Sequence, residues 1–427
     1  MLNLPESFLA RMQAQLGDAF SSYLAAMQEP PRAALRVNTL KISPDALVRL
    51  FPVPLAPLDA PDAFAVPDGF RPGRDPFHAA GLYYMQEASA QAPARLFDLE
   101  PGMAVLDLCA APGGKSAQLA ARMRGTGVLV SNEYVASRAQ ILVGNLERMG
   151  VTNAIVTNMD TQTLCARLSG RFDAVLCDAP CAGEGMFRKD PRAIEEWSPE
   201  HVNACALRER GILENAAEAV KPGGQLVYST CSFSPAEDGE TTAWFLSAHP
   251  DFSLLSERTL YPHNSPGEGQ YMARFVRAGD RSASAYALPR GDRCPAWDAF
   301  APNSELPDGA IRRLKDGRVL LLPPMPFSLD GLKVVRAGLL LGEDKGSRFE
   351  PSHALALSGC LRRTEELTEA EALHYLSGEA IGRVCPKGWA AAAIAGFPLG
   401  LVKSDGALLK NHYPKGLRIH AESPKSM

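Results

Sequence analysis

Residues 103–115 constrain the fold more than any other part of the chain. A short apolar run, residues 104–108, has the composition of a buried parallel strand. A glycine-rich turn follows at once, and residues 116–123 then have the pattern of a helix that ends before Gly125. This order is typical of the first unit of a nucleotide-binding α/β sheet. Glycine lets the backbone approach a ligand closely, and the helix N-terminus offers free N–H groups.

The turn does not match the two common phosphate-binding motifs. Cys109 stands where a P-loop requires its first glycine, and the dinucleotide pattern Gly-x-Gly-x-x-Gly is absent. Acidic residues instead end or follow three predicted strands. Asp107 ends the first, Glu133 follows the second and suits a ribose diol, and Asp160 follows the third as a buried acceptor for an adenine amine. This pattern predicts S-adenosylmethionine, although an unrelated α/β sheet with incidental acids stays open.

Strands and helices alternate between residues 76 and 280. The predicted strands cover residues 128–132, 154–157, 172–178 and 225–229, and the predicted helices cover residues 86–96, 136–149 and 199–220. This alternation predicts a mostly parallel, doubly wound sheet, in which ligands bind beyond the carboxyl ends of the strands. The residues after each strand are therefore the candidate site residues.

Two cysteines follow neighbouring strands of this predicted sheet. Cys181 lies just past the fourth strand and Cys231 just past the fifth, so both thiols are expected to face one crevice. Carbon 5 of a pyrimidine is a weak nucleophile until a thiolate adds at carbon 6, and a second acid/base group helps the later elimination. The alternative is that a cysteine in a sheet protein is simply a small buried apolar residue. We interpret four of the cysteines in this way: Cys109, Cys165, Cys177 and Cys205.

Composition excludes several classes of protein. The 427 residues suggest two to four domains, and no apolar run approaches the roughly 18 residues that span a membrane. The nine cysteines show no Cys-x-x-Cys pair, which argues for reduced thiols and against a disulfide framework or a metal site. The first residues lack signal-peptide features, so we expect a cytoplasmic protein. Net charge is −4, so any nucleic-acid surface must be local.

The regions on either side of the α/β domain have a different character. Residues 1–75 predict a small α+β region with a helix over 4–16, a strand over 34–40 and a helix that begins at Pro44. In this region Arg32, Arg36 and Lys41 are either phosphate contacts or a solvated face. Residues 281–427 are rich in strand patterns, with a capped helix over 368–376. Their last part, residues 401–427, carries five Lys or Arg against two Asp or Glu, which is either an RNA-binding surface or a solvated tail.

Three segments together resemble a known family. Residues 106–115, 178–185 and 229–240 are similar to the signature motifs of the Nol/Nop/Sun family of RNA cytosine-5 methyltransferases. Within that family the chain is most similar to the bacterial F-type branch, which methylates small-subunit ribosomal RNA. Residues 35–38, 86–89 and 409–416 also resemble that branch, so the resemblance covers nearly the whole chain.

The resemblance implies roles for individual residues. Cys231 would be the nucleophile, Cys181 would assist release of the product, and Asp178 would lie between cofactor and target base. Glu133 would bind the ribose and Asp160 the adenine. Lys115 would lie close to both the cofactor and the active site. The loop around the methionine part of S-adenosylmethionine would comprise Cys109, Ala110, Ala111, Pro112, Gly113, Gly114 and Lys115.

Two further expectations concern the segments around the two cysteines. Residues 183–189 would form a loop over the target base, with Arg188 and Lys189 near phosphate. Residues 234–237, Ser-Pro-Ala-Glu, have the spacing of a capping box, which would end the strand just beyond Cys231 and help to fix its thiol. Both expectations concern how the thiols are held in place.

The sequence thus predicts an α/β protein built on a Rossmann-like methyltransferase sheet. Its expected parts are an N-terminal RNA-binding α+β region (1–75), the methyltransferase domain (76–280), a connecting subdomain (281–340) and a PUA-like RNA-binding domain (341–427). We expect a monomer that methylates ribosomal RNA, free or in the assembling small subunit. The same chemistry on transfer RNA and a non-catalytic RNA-binding assembly factor are the alternatives; intact Cys181 and Cys231 argue against the second.

Overall fold

The computed structural model describes residues 2–281 and 285–419. Two helices and a small antiparallel sheet, in strand order β2-β3-β1-β4, come first. The fourth strand lies beyond residue 75, because Tyr83 and Tyr84 pair with Val37 and Arg36. The elements are α1 (Glu6–Leu16), α2 (Phe20–Gln28), β1 (Ala34–Val37), α3 (Pro44–Leu50), β2 (Ala56–Pro57), β3 (Ala63–Ala65), α4 (Pro76–Ala79) and β4 (Tyr83–Met85).

The central domain follows a short irregular connection. The helix predicted over residues 86–96 is wrong: two short 3-10 turns, Ser89–Gln91 and Pro93–Leu96, stand there, and Pro93 lacks the N–H that a helix interior needs. The elements that follow are β5 (Ala104–Asp107), α5 (Gly114–Arg122), β6 (Val128–Asn132), α6 (Ala136–Arg148), β7 (Ala154–Thr157), α7 (Thr161–Arg167), β8 (Phe172–Asp178), α8 (Pro191–Glu196), α9 (Pro199–Ala219), β9 (Val220–Thr230), α10 (Gly239–Ala248), β10 (Phe252–Leu260) and β11 (Gln270–Arg277).

The remaining elements form two small sheets and one edge strand. They are α11 (Pro295–Phe300), β12 (Ala310–Arg313), β13 (Arg318–Leu322), β14 (Val334–Ala337), β15 (Leu339–Asp344), β16 (Phe349–Pro351), α12 (His353–Leu357), β17 (Thr364–Glu366), α13 (Glu369–Ser377), β18 (Ile381–Gly382), β19 (Gly388–Ile394), β20 (Phe397–Ser404) and β21 (Leu408–Asn411). The capping box predicted for α13 is confirmed, with Thr368 and Glu371 bonded to each other's backbone.

The central sheet has the strand order β10-β11-β9-β8-β5-β6-β7-β14. Strands β5 to β9 run parallel, and they are almost entirely buried, as expected for strands covered by helices on both faces. The predicted doubly wound sheet is therefore confirmed. The chain proceeds from β5 outward through β6 and β7, then returns to place β8 and β9 on the other side. The crevice between β5 and β8 is the switch point at which such sheets bind ligands.

The first and last parts of the chain share one apolar core. Leu35, Val37 and Tyr83 of the N-terminal sheet belong to the same buried cluster as Tyr375 and Val402 of the C-terminal sheet. A separate cluster joins α1 and α2 to the segments around the two cysteines. Among the described residues no helix has the length and apolar character needed to cross a bilayer.

Candidate active site

The register of two parallel strands brings the two candidate cysteines together. Asp178 at the end of β8 lies beside Ser229 on β9, so the chain just beyond each strand enters the same crevice. The Cys181 Sγ lies 3.1 Å from the Cys231 Sγ, and the backbone N–H of Cys231 also points to the Cys181 Sγ at 3.3 Å. Both side chains are half-buried. The two cysteines thus face one crevice, as the sequence predicted.

The surroundings of the Cys181 thiol disfavour its ionisation. The hydrogen bond with Cys231, together with burial, raises the pKa of Cys181 well above the usual thiol value. Cys181 therefore keeps its proton at neutral pH. A protonated thiol at 3.1 Å can donate a hydrogen bond to a thiolate on Cys231, and the thiolate is the nucleophilic form of cysteine.

The Asp178 carboxylate accepts from three side chains at this sheet edge. Lys115 Nζ lies 2.7 Å from Oδ2, while Ser229 Oγ and Gln270 Nε2 donate to Oδ1 at 2.6 Å and 3.1 Å. Burial lowers the pKa of Lys115, but Asp178 together with Cys231 and Asp107 raises it above its ordinary value. Lys115 is therefore a fixed ammonium group between the cofactor loop and the thiols.

Gln270 is a site residue that the sequence analysis did not find. It begins β11, whose antiparallel pairing with β9 sets Tyr271 opposite Thr230 and so brings Gln270 near Asp178. Residues 269–271 carry no recognisable motif, because the position depends on the pairing of two strands 40 residues apart. The sequence therefore holds no local signal that could have indicated Gln270.

A cavity of about 510 Å³ opens at the carboxyl ends of β5, β6 and β8. Five of the predicted site residues line it: Cys109, Ala111, Glu133, Asp160 and Asp178. Ala110, Pro112, Gly113 and Gly114 complete the loop that connects β5 to α5. At Gly113 φ is +111°, and an added Cβ would lie 2.9 Å from the Leu142 side chain, so only glycine fits there.

One buried acceptor at the end of β5 has no hydrogen-bond partner among the described residues. Ser116 Oγ donates to Asp107 Oδ2 at 2.6 Å, whereas Asp107 Oδ1 is buried without a hydrogen-bond partner in the described part of the chain. Burial raises the pKa of Asp107 to about 7. Buried polar atoms are nearly always paired, so this oxygen fits a ligand that carries an amino group.

The two acids expected at the adenosine end differ in burial. Glu133 is buried and accepts the Val135 N–H at 2.8 Å. The expectation that Asp160 is buried is wrong. Its side chain is exposed at the cavity rim, where it accepts the Thr163 N–H at 2.8 Å and caps α7. The capping bond holds this carboxylate at the start of α7 and not inside the cavity.

Several polar residues that were candidates for phosphate contacts have structural partners instead. Arg36 is buried and donates to the Gly114 carbonyl at 2.8 Å, so the first strand of the chain braces the cofactor loop. Lys41 donates to the backbone carbonyl of Ala80 at 2.7 Å. Arg188 pairs with buried Glu268 at 2.6 Å and donates to the Ala26 carbonyl at the end of α2. Arg32 is the one exposed residue among the three N-terminal candidates Arg32, Arg36 and Lys41.

The capping box predicted over residues 234–237 is also wrong. The helix begins later, at Gly239, and no side chain caps it. The Glu237 carboxylate turns back toward the cysteines, where it accepts the Ala182 N–H at 2.7 Å and the Ser232 hydroxyl. Within residues 2–281 and 285–419, no three His, Cys, Asp or Glu side chains form a group that would hold a metal ion.

Four family models match successive parts of the chain. The N-terminal domain of 16S rRNA methyltransferase RsmF matches residues 4–88, and 16S rRNA methyltransferase RsmB/F matches residues 94–281. The first C-terminal domain of the RsmF rRNA methyltransferase matches residues 299–358, and the methyltransferase RsmF PUA domain matches residues 362–419. The predicted PUA-like C-terminal domain is therefore confirmed.

Curated relatives and a solved structure agree with these matches. Ribosomal RNA small subunit methyltransferase F of Cronobacter sakazakii is 34% identical over 97% of this chain and 96% of its own length. The protein of that name from Escherichia coli SE11 is 32% identical with the same coverage. A methyltransferase homolog from Pyrococcus horikoshii superposes with a TM-score of 0.59 at 31% identity, covering 65% of this chain and 96% of that one.

The matches also decide the cofactor. The Rossmann-like sheet, the glycine-rich loop and the acid-lined cavity are those of an S-adenosylmethionine-dependent methyltransferase, so the cofactor predicted from the sequence is confirmed. The chain belongs to the RsmB/F family of 16S rRNA methyltransferases, and its flanking domains are those of the RsmF members.

Proposed function

We propose that this methyltransferase modifies carbon 5 of a cytosine in small-subunit ribosomal RNA through a covalent cysteine adduct. The observation that carries the proposal is the pair of thiols 3.1 Å apart, beside an acid–lysine pair at the edge of the cofactor cavity. Methylation at a ring nitrogen or a hydroxyl needs no thiol, because those atoms are already nucleophilic. Methylation at carbon 5 needs one.

Cys231 is the nucleophile in this proposal. Its thiolate adds to carbon 6, which forms a sulfur–carbon bond and makes carbon 5 electron-rich. The cofactor supplies the methyl group that carbon 5 takes. Carbon 5 then loses its proton to a base or to water, the sulfur–carbon bond breaks, and Cys231 leaves as a thiolate. The neighbouring Cys181 thiol can donate a hydrogen bond to that departing thiolate and so assist product release.

Asp178 and Lys115 are proposed to hold the target base. The target cytosine must leave its stack to reach the thiols, at a cost of a few kcal/mol. Asp178 can accept from the cytosine amino group, while Lys115 and Gln270 hold the carboxylate in position. These contacts place carbon 5 between the cofactor cavity and Cys231 in our proposal.

Ribosomal RNA is the proposed substrate because the relatives named above act on it and the PUA-type domain is present. The partly exposed Lys403–Trp389 pair of that domain, with the ammonium 4.9 Å from the ring centre, is suited to a nucleic-acid surface. We propose a cytoplasmic monomer that acts on free RNA or on the assembling small subunit.

Bisulfite sequencing of total RNA from cells with and without the gene tests this function. We expect one or a few protected cytosines in small-subunit ribosomal RNA that become convertible when the gene is removed and return with a plasmid copy. If protection is lost only in transfer RNA, then transfer RNA and not ribosomal RNA is the substrate. No change in any RNA would contradict cytosine-5 chemistry and favour an assembly factor.

A further inference from the structure

We propose that Glu184 and Glu237 are reciprocal positioning residues that set the distance between the two thiols. Each carboxylate comes from one cysteine segment and holds the backbone of the other. We call this pair the carboxylate clasp. The inference rests on the proposed two-thiol mechanism for its catalytic consequence, but the positioning itself can be measured without any reaction.

The first half of the clasp is Glu184, three residues after Cys181. Its Oε2 accepts the N–H of Phe233, two residues after Cys231, at 2.9 Å. The second half is Glu237, which follows Cys231 in the sequence. Its Oε1 accepts the N–H of Ala182, next to Cys181, at 2.7 Å. The two bonds thus connect the same two segments in opposite directions.

Further contacts lock the same segments together. The Gly185 N–H donates to the Cys231 carbonyl at 2.7 Å, and a Cβ at Gly185 would approach that oxygen to 3.1 Å. Ser232 Oγ donates to Glu237 Oε2, so Glu237 also fixes the residue after Cys231. The backbone that follows each thiol is thereby held, which leaves the sulfur atoms little freedom to separate.

Arg11 extends the clasp to the N-terminal helices. Glu184 Oε1 accepts from Arg11 Nη2 at 2.7 Å and from Trp197 Nε1 at 2.8 Å. With Phe233 that makes three donors on two oxygens. A glutamine would turn an N–H group toward at least one of these donors, so the site requires a carboxylate. Helix α1 therefore touches the active site through one ion pair.

The burial of the clasp argues against a role in stability alone. Both glutamates are 0% exposed, and burial raises the pKa of Glu237. Taking carboxylates out of water is costly, and apolar side chains of similar size often stabilise a fold as well or better. What such side chains lack is the directional bonding that fixes two thiols at 3.1 Å.

Phenylarsine oxide reports on this distance directly. It bridges two adjacent thiols with two arsenic–sulfur bonds and releases one water, so no oxidant is involved. Intact-mass and peptide mass spectrometry identify the bridged pair, and C181A and C231A serve as blanks. We expect fast bridging of Cys181 and Cys231 in the wild-type protein and bridging roughly tenfold slower in E184Q and E237Q, because each loses one fixed connection.

Turnover supplies the second readout. E184Q and E237Q should lower kcat by about 100-fold, the cost of misplacing a reacting group by about 1 Å, with little change in the Kd for S-adenosylmethionine. R11A should have a smaller effect that R11K partly restores. S232A is the mild substitute if E237Q fails to fold. R192A, which breaks the exposed pair with Asp190 in the same region, is the matched control and should resemble the wild type.

Two outcomes separate the hypotheses. If folded E184Q, E237Q and S232A are bridged as fast as the wild type, the clasp does not position the thiols and the inference fails. If bridging slows in these variants while the wild type modifies no cytosine at carbon 5, the positioning stands and the proposed function fails.

Discussion

Asp178 separates two halves of the active site that are built differently. On one side, the cofactor cavity is open, and its lining includes the exposed Asp160 and the backbone of the glycine-rich loop. On the other side, the thiol crevice is held by fully buried carboxylates and by an ion pair to the N-terminal helix. In the proposed mechanism the cofactor enters and leaves at every turnover, whereas the thiols keep one separation.

The difference teaches where substitutions should act. A residue that lines the cavity contacts a ligand that water can replace. Substitution of such a residue should therefore change the affinity for the cofactor. A residue of the crevice fixes reacting atoms, so its loss should change kcat. The predictions below test that division, beginning with the largest expected effect.

Replacing the two cysteines should give the largest and most distinct effects. C231A should abolish methylation and form no adduct, because no thiolate is left to add at carbon 6. C181A should lose turnover yet remain covalently attached to RNA, because elimination lacks the hydrogen-bond donor at 3.1 Å. The adduct is measured as a slow band on a denaturing gel that disappears on nuclease treatment.

The reverse pattern would exchange the two roles. An adduct in C181A is expected only if Cys231 alone can attack, so an adduct in C231A and none in C181A would make Cys181 the nucleophile. Full activity in either variant would remove that residue from the mechanism. C360A is the matched control, because that half-buried cysteine lies far along the sequence in another domain.

Replacing Lys115 tests the boundary between the two halves. K115M should lower kcat by roughly 100-fold, because Asp178 loses its cationic partner at 2.7 Å. Isothermal calorimetry should find nearly unchanged affinity for S-adenosylmethionine. K345M, which breaks an exposed pair with Glu343, is the control. A loss of affinity as large as the loss of kcat would assign Lys115 to the cofactor side.

Replacing Asp160 should have a smaller effect confined to affinity. D160A should weaken cofactor binding by about 1 kcal/mol, roughly fivefold, because the residue is exposed and water can take its place. It also removes the cap of α7, which stabilises the fold by about 1 kcal/mol. D160S keeps a cap, so a loss of affinity shared by both variants measures the ligand contact alone. Unchanged calorimetric affinity in D160S would contradict the adenine role.

The smallest expected effect on the reaction comes from a residue that changes the pH dependence of stability. Burial and the nearby Glu237 carboxylate raise the pKa of Glu209 from 4.5 to about 9. The folded protein therefore binds more protons than the unfolded chain between these values, so this group's contribution is present below pH 4.5 and is lost as pH rises toward 9. In E209Q the urea midpoint should decline less between pH 5 and 8.5. An unchanged decline would mean that Glu209 titrates normally.

The cofactor half was largely predictable from the sequence. Each of its features is local, since a strand end, a turn and a helix start lie within one short segment, as in residues 104–116. The meeting of Cys181 with Cys231 was predictable as well, because neighbouring parallel strands end at the same edge. The burial of Asp160 was predicted wrongly, because the ligand role expected of this residue left its capping role out of account.

The crevice half was not predictable to the same degree. Glu237 had the spacing of a helix cap, but a buried backbone N–H at Ala182 competes for it and binds it instead. Arg11 and Glu184 lie 173 positions apart, and Gln270 and Asp178 lie 92 apart. Such contacts depend on how α1 and β11 pack in three dimensions, and no periodicity in the chain records that packing.

The core shared by the first and last sheets has a consequence during synthesis. The apolar face formed by Leu35, Val37 and Tyr83 is completed by Tyr375 and Val402, which leave the ribosome some 300 residues later. At about 5–20 residues per second that interval is roughly 15–60 s. For this period the N-terminal sheet of the nascent chain exposes an apolar surface. A chaperone bound there would prevent aggregation with neighbouring chains until synthesis is complete.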